Sequence, residues 1–171
     1  ACSLAQLGRR VLVVDADMRR PNCARQLGVK SDYGLTDYLQ GMTDLDQVVV
    51  KIRIENLSLV PTGRSNSVPS DLLYSPRLST LLQEVGRRFQ HIVVDSPPSL
   101  VLSAARTISR LVEGVVLVVS DATERNSLLR TKQMFDDAGV HFLGFVMNRV
   151  NLDYGYYRNY GYYYSYSDRE E

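Results

Sequence analysis

Cysteine is scarce in this chain of 171 residues, which contains only Cys2 and Cys23. Their separation fits no metal-ligand spacing. Two cysteines in a domain of this size are typical of reduced thiols in a cytosolic protein rather than of a disulfide framework. The sequence therefore argues against the small disulfide-stapled folds and gives neither thiol an obvious role.

Long apolar runs are absent as well. No stretch approaches the roughly 18 residues needed to cross a bilayer, and no signal peptide is visible. The first eight residues instead resemble the last two turns of an amphipathic helix that ends at Gly8. We therefore expect the natural protein to continue upstream of Ala1, where a strand, a loop or a membrane anchor would lie outside this sequence.

The chain also lacks an excess of charge of either sign. It carries 20 Lys and Arg against 19 Asp and Glu, for a formal net charge of +1. No dense basic run with interleaved aromatic residues occurs, which argues against a nucleic-acid partner. Because 44% of the residues are apolar, the chain can form one ordinary domain with a hydrophobic core.

What the sequence does contain is an alternation of strand-like and helix-like segments. The predicted strands are 11–15, 57–60, 91–95, 114–119 and 142–148, and all but the second have the apolar content of fully buried strands. The predicted helices are at about 21–27, 34–41, 76–88, 101–111 and 126–138. This alternation predicts a doubly wound α/β fold, with a mostly parallel sheet and helices on both faces.

Carboxylates follow two of the predicted strands. Asp15 and Asp17 close the first strand, directly before Arg-Arg-Pro, and Asp95 closes the strand 91–95. Ligands of open α/β sheets bind at the carboxyl ends of the strands. Two aspartates on alternate positions followed by two arginines therefore favour a phosphate or metal site over a simple polar turn.

Tyrosine is concentrated at the C-terminus, where residues 151–171 hold eight of the eleven tyrosines. The segment has neither strand alternation nor helical periodicity, which predicts a flexible tail after a folded domain of residues 1–150. Its phenol hydroxyls could accept phosphate, each adding about −1.5 to −2 charge; a tail that packs on a partner or on itself is the alternative. The candidate acceptors are Tyr154, Tyr156, Tyr157, Tyr160, Tyr162, Tyr163, Tyr164 and Tyr166.

These motifs together resemble the cytoplasmic domain of the bacterial tyrosine kinases of capsule and exopolysaccharide biosynthesis. The similarity rests on Val11–Pro21, Pro69–Ser75, Ile92–Pro98, Asn148–Val150 and the tyrosine-rich tail. The strand-end motifs are shared with the deviant P-loop ATPases of cell division and partition, whereas the tail and Pro69–Ser75 separate the kinases from them. The resemblance implies a P-loop NTPase fold, ATP and Mg²⁺ as cofactors, and phosphate transfer to a tyrosine hydroxyl.

The resemblance also implies a role for each matched residue. Asp15 and Asp17 would hold magnesium and orient or deprotonate the incoming hydroxyl, and Asp95 would act on magnesium through water. Such carboxylates suit phosphoryl transfer, which needs a metal to spread charge and a group to receive the hydroxyl proton. Asn148, with Arg149 beside it, would lie near the adenine base; a cap of the strand-to-loop turn explains Asn148 about equally well.

The nucleotide-binding loop of that family has no counterpart in these residues. The motif Gly-x-x-x-x-Gly-Lys-Ser/Thr occurs nowhere in the sequence, and in the family it precedes a helix that ends much like residues 1–8. We therefore expect the kinase domain to lack its first strand and P-loop and to expose strand edges. We also expect this chain to bind ATP weakly or not at all.

Partners and location follow from the same resemblance. It implies a homo-oligomeric ring in which the tail enters a neighbouring active site, a membrane polysaccharide co-polymerase or adaptor segment, and a position in the cytoplasm at the inner face of the bacterial membrane. Two other functions stay open. One is a partition- or division-type ATPase, which does not explain the tyrosines, and the other is a non-catalytic partner whose tail is phosphorylated by a related kinase.

Overall fold

The computed structural model describes residues 1–63, 70–97 and 103–149. The chain divides into two compact units, Ala1–Glu113 and Gly114–Glu171. All eight candidate phosphate acceptors lie outside the described residues, so the tail at 151–171 and the domain limit at 150 stay predictions.

The first unit is an α/β unit built on one four-stranded sheet. Its strands are β1 (Val11–Asp15), β2 (Val50–Lys51), β3 (Leu57–Val60) and β4 (His91–Asp95). Its helices are α1 (Cys2–Gln6), α2 (Cys23–Gln26), α3 (Leu35–Leu39), α4 (Leu45–Val48), a 3₁₀ helix (Ser70–Tyr74), α5 (Pro76–Gly86) and α6 (Ser103–Ser109). The strand order is β2-β3-β1-β4, with β1 parallel to both neighbours and β2 antiparallel to β3. The predicted mostly parallel sheet is confirmed, and the short antiparallel β2 is an addition to it.

Strand β1 is the centre of this unit, and all five of its residues are buried. Because successive side chains of a strand point to opposite faces, the strand contributes to two separate cores. Leu12 and Val14 pack in a cluster with residues of α3, α4, α5 and α6. Val11 and Val13 pack in a second cluster with residues of α1 and α2. Helices on both faces of the sheet were the expectation for a doubly wound fold, and the first unit has them.

Helix limits in this unit follow from local sequence signals. Helix α5 begins at Pro76, and the Oγ of Ser75 caps it by accepting a hydrogen bond from the amide of Arg77 at 3.3 Å. One face of the helix buries Leu78, Leu81 and Val85. Within the three described ranges, no helix has the length and apolar character that a membrane crossing requires.

Strand β4 is less buried than predicted. Val93 is 38% exposed, and Ile92 and Val94 on the alternate positions are only partly buried. The expectation of a fully buried strand is wrong here, because β4 is the edge of its sheet in the described residues and pairs with β1 alone.

The second unit contains β5 (Val115–Ser120), α7 (Arg125–Asp137) and β6 (Phe142–Asn148), with β5 and β6 parallel. Both strands were expected to be fully buried, and that is wrong as well. Val118 is 63% exposed and Phe145 is 58% exposed. In the described part of this unit, α7 is the single helix and the sheet has two strands.

Candidate functional site

Asp15 and Asp95 end neighbouring strands side by side. The parallel register of β1 and β4 pairs Asp15 with Asp95, and the amide of Ala16 donates a hydrogen bond to the Asp95 carbonyl at 2.8 Å. Since the two strands run in the same direction and end together, both carboxylates lie at the ligand-binding edge of the sheet. Two of the predicted site residues, 80 positions apart in the chain, are thereby brought together.

The carboxylate of Asp15 is fully buried, with 0% exposure. Its Oδ2 accepts hydrogen bonds from the backbone amides of Asn22 at 3.2 Å and Cys23 at 3.1 Å. Its Oδ1 has no hydrogen-bond partner in the described structure. Burial raises the pKa of Asp15, the amides of Cys23 and Asn22 oppose this shift, the charge of Asp95 adds to it, and the Thr62 hydroxyl lowers the pKa slightly. A buried carboxylate with one unpartnered oxygen is a group that a bound cation would complete.

Cys23 completes the cluster, although its position in the sequence indicates no role for it. Its Sγ donates a hydrogen bond to Oδ2 of Asp95 at 3.4 Å. Burial, followed by the charges of Asp15 and Asp95, raises the pKa of the Cys23 thiol to about 12. Ligand atoms of these three residues all lie within 4.8 Å of one another. One signal could have located Cys23: Pro21 lies two residues before the start of α2 and shortly after the strand-end carboxylates.

Asp17 has a different local environment. Its Oδ1 accepts hydrogen bonds from the amides of Arg19 at 3.2 Å and Arg20 at 3.1 Å, which closes the turn after β1. Asp17 does not belong to the group formed by Asp15, Cys23 and Asp95. The structure therefore joins two of the three predicted acidic residues, and the role of Asp17 stays a prediction.

A buried threonine holds the end of β1 from the other side. The Thr62 hydroxyl donates a hydrogen bond to the backbone carbonyl of Asp15 at 3.1 Å, and the Thr36 hydroxyl donates one to the carbonyl of Thr62 at 2.9 Å. The backbone of residues 34–37 also meets that of residues 61–63, where the amide of Leu35 donates to the carbonyl of Pro61 at 2.7 Å. We call this junction the 34–37/61–63 contact. It joins the ends of β3 and β1 behind the carboxylates, and sequence reasoning did not find it.

Asn148 and Arg149 belong to the second unit. Asn148 is the last residue of β6, and its Oδ1 accepts a hydrogen bond from the amide of Arg149 at 2.9 Å. Arg149 has a positive φ of 55°. This is the capping role in a strand-to-loop turn that the sequence left open for Asn148, and contact of either residue with adenine stays a prediction.

Asp15→Asn is expected to raise the free energy of unfolding at neutral pH by about 1–3 kcal/mol, because it removes a buried charge that has an unpartnered oxygen. The folded state raises the pKa of Asp15 above 3.8, so the folded chain binds this proton more tightly than the unfolded chain. The parent chain therefore gains stability as the pH falls through the raised pKa, and the difference from the variant shrinks. Urea unfolding over a pH series measures this.

The exposed Asp121 supplies the matched control. Asp121→Asn should change stability by less than about 0.5 kcal/mol at any pH. A loss of stability at neutral pH in Asp15→Asn would contradict the assignment of Asp15 as a destabilising buried charge.

Comparison with known proteins shows which family this chain belongs to. A family model described as an AAA domain matches residues 1–134. The tyrosine-protein kinase CpsD of Streptococcus agalactiae is 32% identical over 166 residues, which cover 94% of this chain and 72% of that protein. The chain belongs to the bacterial tyrosine-protein kinase family. Another kinase of the family, ptk of Acinetobacter johnsonii, is 35% identical over 152 residues; these cover 88% of this chain but only 21% of ptk, so the chain spans about a fifth of that relative.

Solved structures of the kinase family share the fold. The kinase domain of VpsO superposes with a TM-score of 0.81 at 31% identity, covering 88% of this chain and 74% of that one. The kinase domain of Escherichia coli tyrosine kinase ETK gives 0.82 at 29% identity, covering 87% and 59%. The septum site-determining protein MinD of Pyrococcus horikoshii, solved with Mg-ADP, gives 0.73 at 24% identity, covering 91% and 62%, which is a likeness of fold. The predicted P-loop NTPase type of α/β fold is confirmed.

Proposed function

We propose that this chain forms part of an ATP-dependent protein-tyrosine kinase and that it phosphorylates the tyrosine-rich tail of a neighbouring subunit. The observation that carries the proposal is the pair formed by Asp15 and Asp95. Their carboxylates end adjacent parallel strands in register, and one oxygen of the buried Asp15 has no partner in the described structure. Phosphoryl transfer requires such carboxylates to hold magnesium beside the phosphates.

The donor set fits Mg²⁺. Proteins hold this ion through one or two carboxylates, with waters and substrate phosphates as the remaining ligands, and Asp15 and Asp95 provide two carboxylates at one sheet edge. When bound, magnesium neutralises charge on the phosphate oxygens. The chain itself fixes the geometry, because the amides of Asn22 and Cys23 hold the carboxylate of Asp15.

Asp17 is the proposed partner of the tyrosine hydroxyl. Its contacts with the amides of Arg19 and Arg20 use Oδ1, and Oδ2 is proposed to orient the hydroxyl or to accept its proton. Such a base must come within hydrogen-bond distance of the proton that it abstracts. Asp17 is half-buried rather than enclosed, so a tyrosine from another chain can approach it.

The proposed assembly is a homo-oligomeric ring with each tail in a neighbouring active site. Its partner is a membrane polysaccharide co-polymerase or adaptor segment, at the cytoplasmic face of the cell membrane. Membership of the kinase family supports this part of the proposal. Residues 151–171 carry two arginines against four acidic residues, so several phosphates would make the tail strongly negative. Repulsion between tails would then loosen the ring and so control capsule or exopolysaccharide synthesis.

Autophosphorylation of the intact protein tests the kinase proposal. With ATP and Mg²⁺ alone, the protein that contains this chain should accumulate phosphotyrosine on residues 151–171. The double variant Asp15→Ala, Asp17→Ala should fall to background, because it removes a metal ligand and the proposed base. Immunoblotting and mass spectrometry measure the modification, and Asp121→Ala, an exposed aspartate of the second unit, is the matched control.

Three results would separate the alternatives. ATP hydrolysis without phosphotyrosine would favour a division-type ATPase. Modification only after a related kinase is added would favour a non-catalytic partner. An oligomeric mass that light scattering finds unchanged by multi-site phosphorylation would contradict the ring mechanism alone.

This chain by itself is proposed to bind ATP weakly. It contains no Gly-x-x-x-x-Gly-Lys-Ser/Thr segment, and that segment supplies the amides and the lysine that hold the phosphates. A calorimetric titration with ATP and Mg²⁺ checks this point separately, since tight binding would contradict the weak-binding proposal and leave the kinase proposal in place.

A further inference from the structure

We propose that Asp15, Cys23 and Asp95 form a site for a thiophilic divalent cation of the Zn²⁺ or Cd²⁺ class, and that this cation competes with Mg²⁺ for the two carboxylates. The site follows from the residues brought together at the ends of β1 and β4 and the start of α2. Their ligand atoms lie within 4.8 Å of one another. The cation site itself does not depend on phosphoryl transfer, because it concerns only these three side chains, whereas the competition with Mg²⁺ rests on the magnesium site of the proposed function.

One sulfur–oxygen pair of the cluster has the spacing of a tetrahedral site. Zinc binds sulfur at about 2.3 Å and carboxylate oxygen at about 2.0–2.2 Å, which puts the two ligand atoms about 3.5 Å apart at a tetrahedral angle. In the structure, Sγ of Cys23 and Oδ2 of Asp95 are 3.4 Å apart. A cation can therefore take the place of the thiol hydrogen bond with little movement of either side chain.

Asp15 supplies the independent sign that this cluster receives a ligand. Its side chain is 0% exposed, and its Oδ1 has no partner in the described structure. The amides of Asn22 and Cys23 fix the other oxygen, which is the kind of outer contact that orients a metal-binding carboxylate. Three protein ligands leave a fourth position for water, as in open zinc sites.

The thiol decides which cation this site prefers. Magnesium takes oxygen ligands and gains nothing from sulfur, whereas thiolate selects zinc and similar soft ions. On binding, the S–H bond of Cys23 breaks, a sulfur–metal bond forms, and the proton passes to the solvent buffer. No electron is transferred, and the divalent cation is the only added reactant.

Cadmium titration of this chain tests the site directly. The chain is kept reduced with a phosphine, and the ultraviolet sulfur-to-cadmium charge-transfer absorbance is followed as Cd²⁺ is added. The parent chain and Cys2→Ser should both show the absorbance with one equivalent of cadmium. Cys23→Ser should lose it, because the other thiol, Cys2, lies on the exposed surface of α1.

Isothermal titration calorimetry with Zn²⁺ measures the affinity of the same site in the parent chain and in the variants. Cys23→Ser should weaken Zn²⁺ binding by about tenfold or more, since changes even to the outer contacts of metal sites cost about 10–100-fold. Asp95→Asn should weaken zinc binding while the cadmium–sulfur absorbance persists at saturation. Added Mg²⁺ should raise the apparent Kd of the parent chain for Zn²⁺ linearly with the Mg²⁺ concentration, as competition for one site requires.

Several outcomes would overturn the proposal. Zinc binding of equal strength in Cys23→Ser, or an absorbance that disappears in Cys2→Ser instead, would remove Cys23 from the ligand set. A Zn²⁺ affinity unaffected by Mg²⁺ would refute the competition. X-ray absorption of the zinc-loaded parent chain decides without any variant, because a first shell that contains no sulfur contradicts the site even if Cys23→Ser fails to fold.

Discussion

Gly34→Ala is expected to lower the free energy of unfolding of the first unit by about 3 kcal/mol, at the upper end of the usual cost of overpacking. A Cβ at position 34 would lie 2.2 Å from the nitrogen of Gly63 and 2.5 Å from the carbonyl oxygen of Pro61. These are backbone atoms, which cannot rotate away as a side chain can. The φ of Gly34 is −155°, which any residue adopts, so the entire cost is steric.

Gly86→Ala is the matched control for this substitution. Gly86 is the last residue of α5, and a Cβ there would meet no atom within 4 Å. Because alanine is the better helix former, Gly86→Ala should leave stability unchanged or raise it by up to about 1 kcal/mol. Urea unfolding followed by circular dichroism compares the two variants, and equal losses of stability in both would show that the 34–37/61–63 contact is not as tight as the structure has it.

The same contact bears on the candidate site. Thr62 lies within it and donates a hydrogen bond to the carbonyl of Asp15. A Cβ on Gly63, which has a φ of +109°, would approach Oγ1 of Thr36 to 2.4 Å, so glycine is required there for both conformation and space. Two glycines therefore let a threonine reach the end of β1, and through that strand end they fix the position of the buried carboxylate.

The parts of the site that sequence could predict are the parts with local causes. The apolar run of β1 and the two aspartates after it are contiguous, and the rule that ligands bind at strand carboxyl ends applies to each strand separately. Strand β6 and helix α5 also have local causes. The predicted limits of β6, 142 and 148, are those observed, and α5 begins at Pro76, a residue that favours the first position of a helix.

The parts that sequence could not predict depend on distant neighbours. Cys23 and Asp95 are 72 residues apart, and Thr62 is 47 residues from Asp15. Both contacts exist only because the register of β1 with β3 and β4 brings three strand ends level. The amino-acid types along each strand do not predict how the strands are aligned with one another. The sequence therefore indicates no role for Cys23 and does not single out Thr62.

The prediction that strands β4, β5 and β6 are fully buried is wrong for a related reason. The runs in β4, β5 and β6 have the composition of buried strands, but exposure depends on how many elements pack against a strand. Val118 and Phe145 are more than half exposed although their strands are as apolar as β1. Strand β1 is buried because it has strands on both sides and helices on both faces, which its own five residues cannot encode.

Leu81→Ala is expected to cost about 2–5 kcal/mol of unfolding free energy, the range for emptying a fully buried leucine position. Leu81 has 0% exposure and belongs to the cluster that covers Leu12 and Val14 of β1. Its neighbour Leu82 is partly buried against the same cluster, so Leu82→Ala should cost clearly less. Both substitutions change the intrinsic helix propensity of α5 equally, which isolates the packing term in their difference.

Denaturant unfolding measures this pair, and the slope of each transition is as informative as the midpoint. If α5 and β1 share one cooperative core, both variants should shift the midpoint and keep the slope of the parent chain. A lower slope in Leu81→Ala, or a larger loss in Leu82→Ala, would contradict that single core. Because β1 ends at Asp15, the packing beneath α5 also determines whether the buried carboxylate has a rigid strand to hold it.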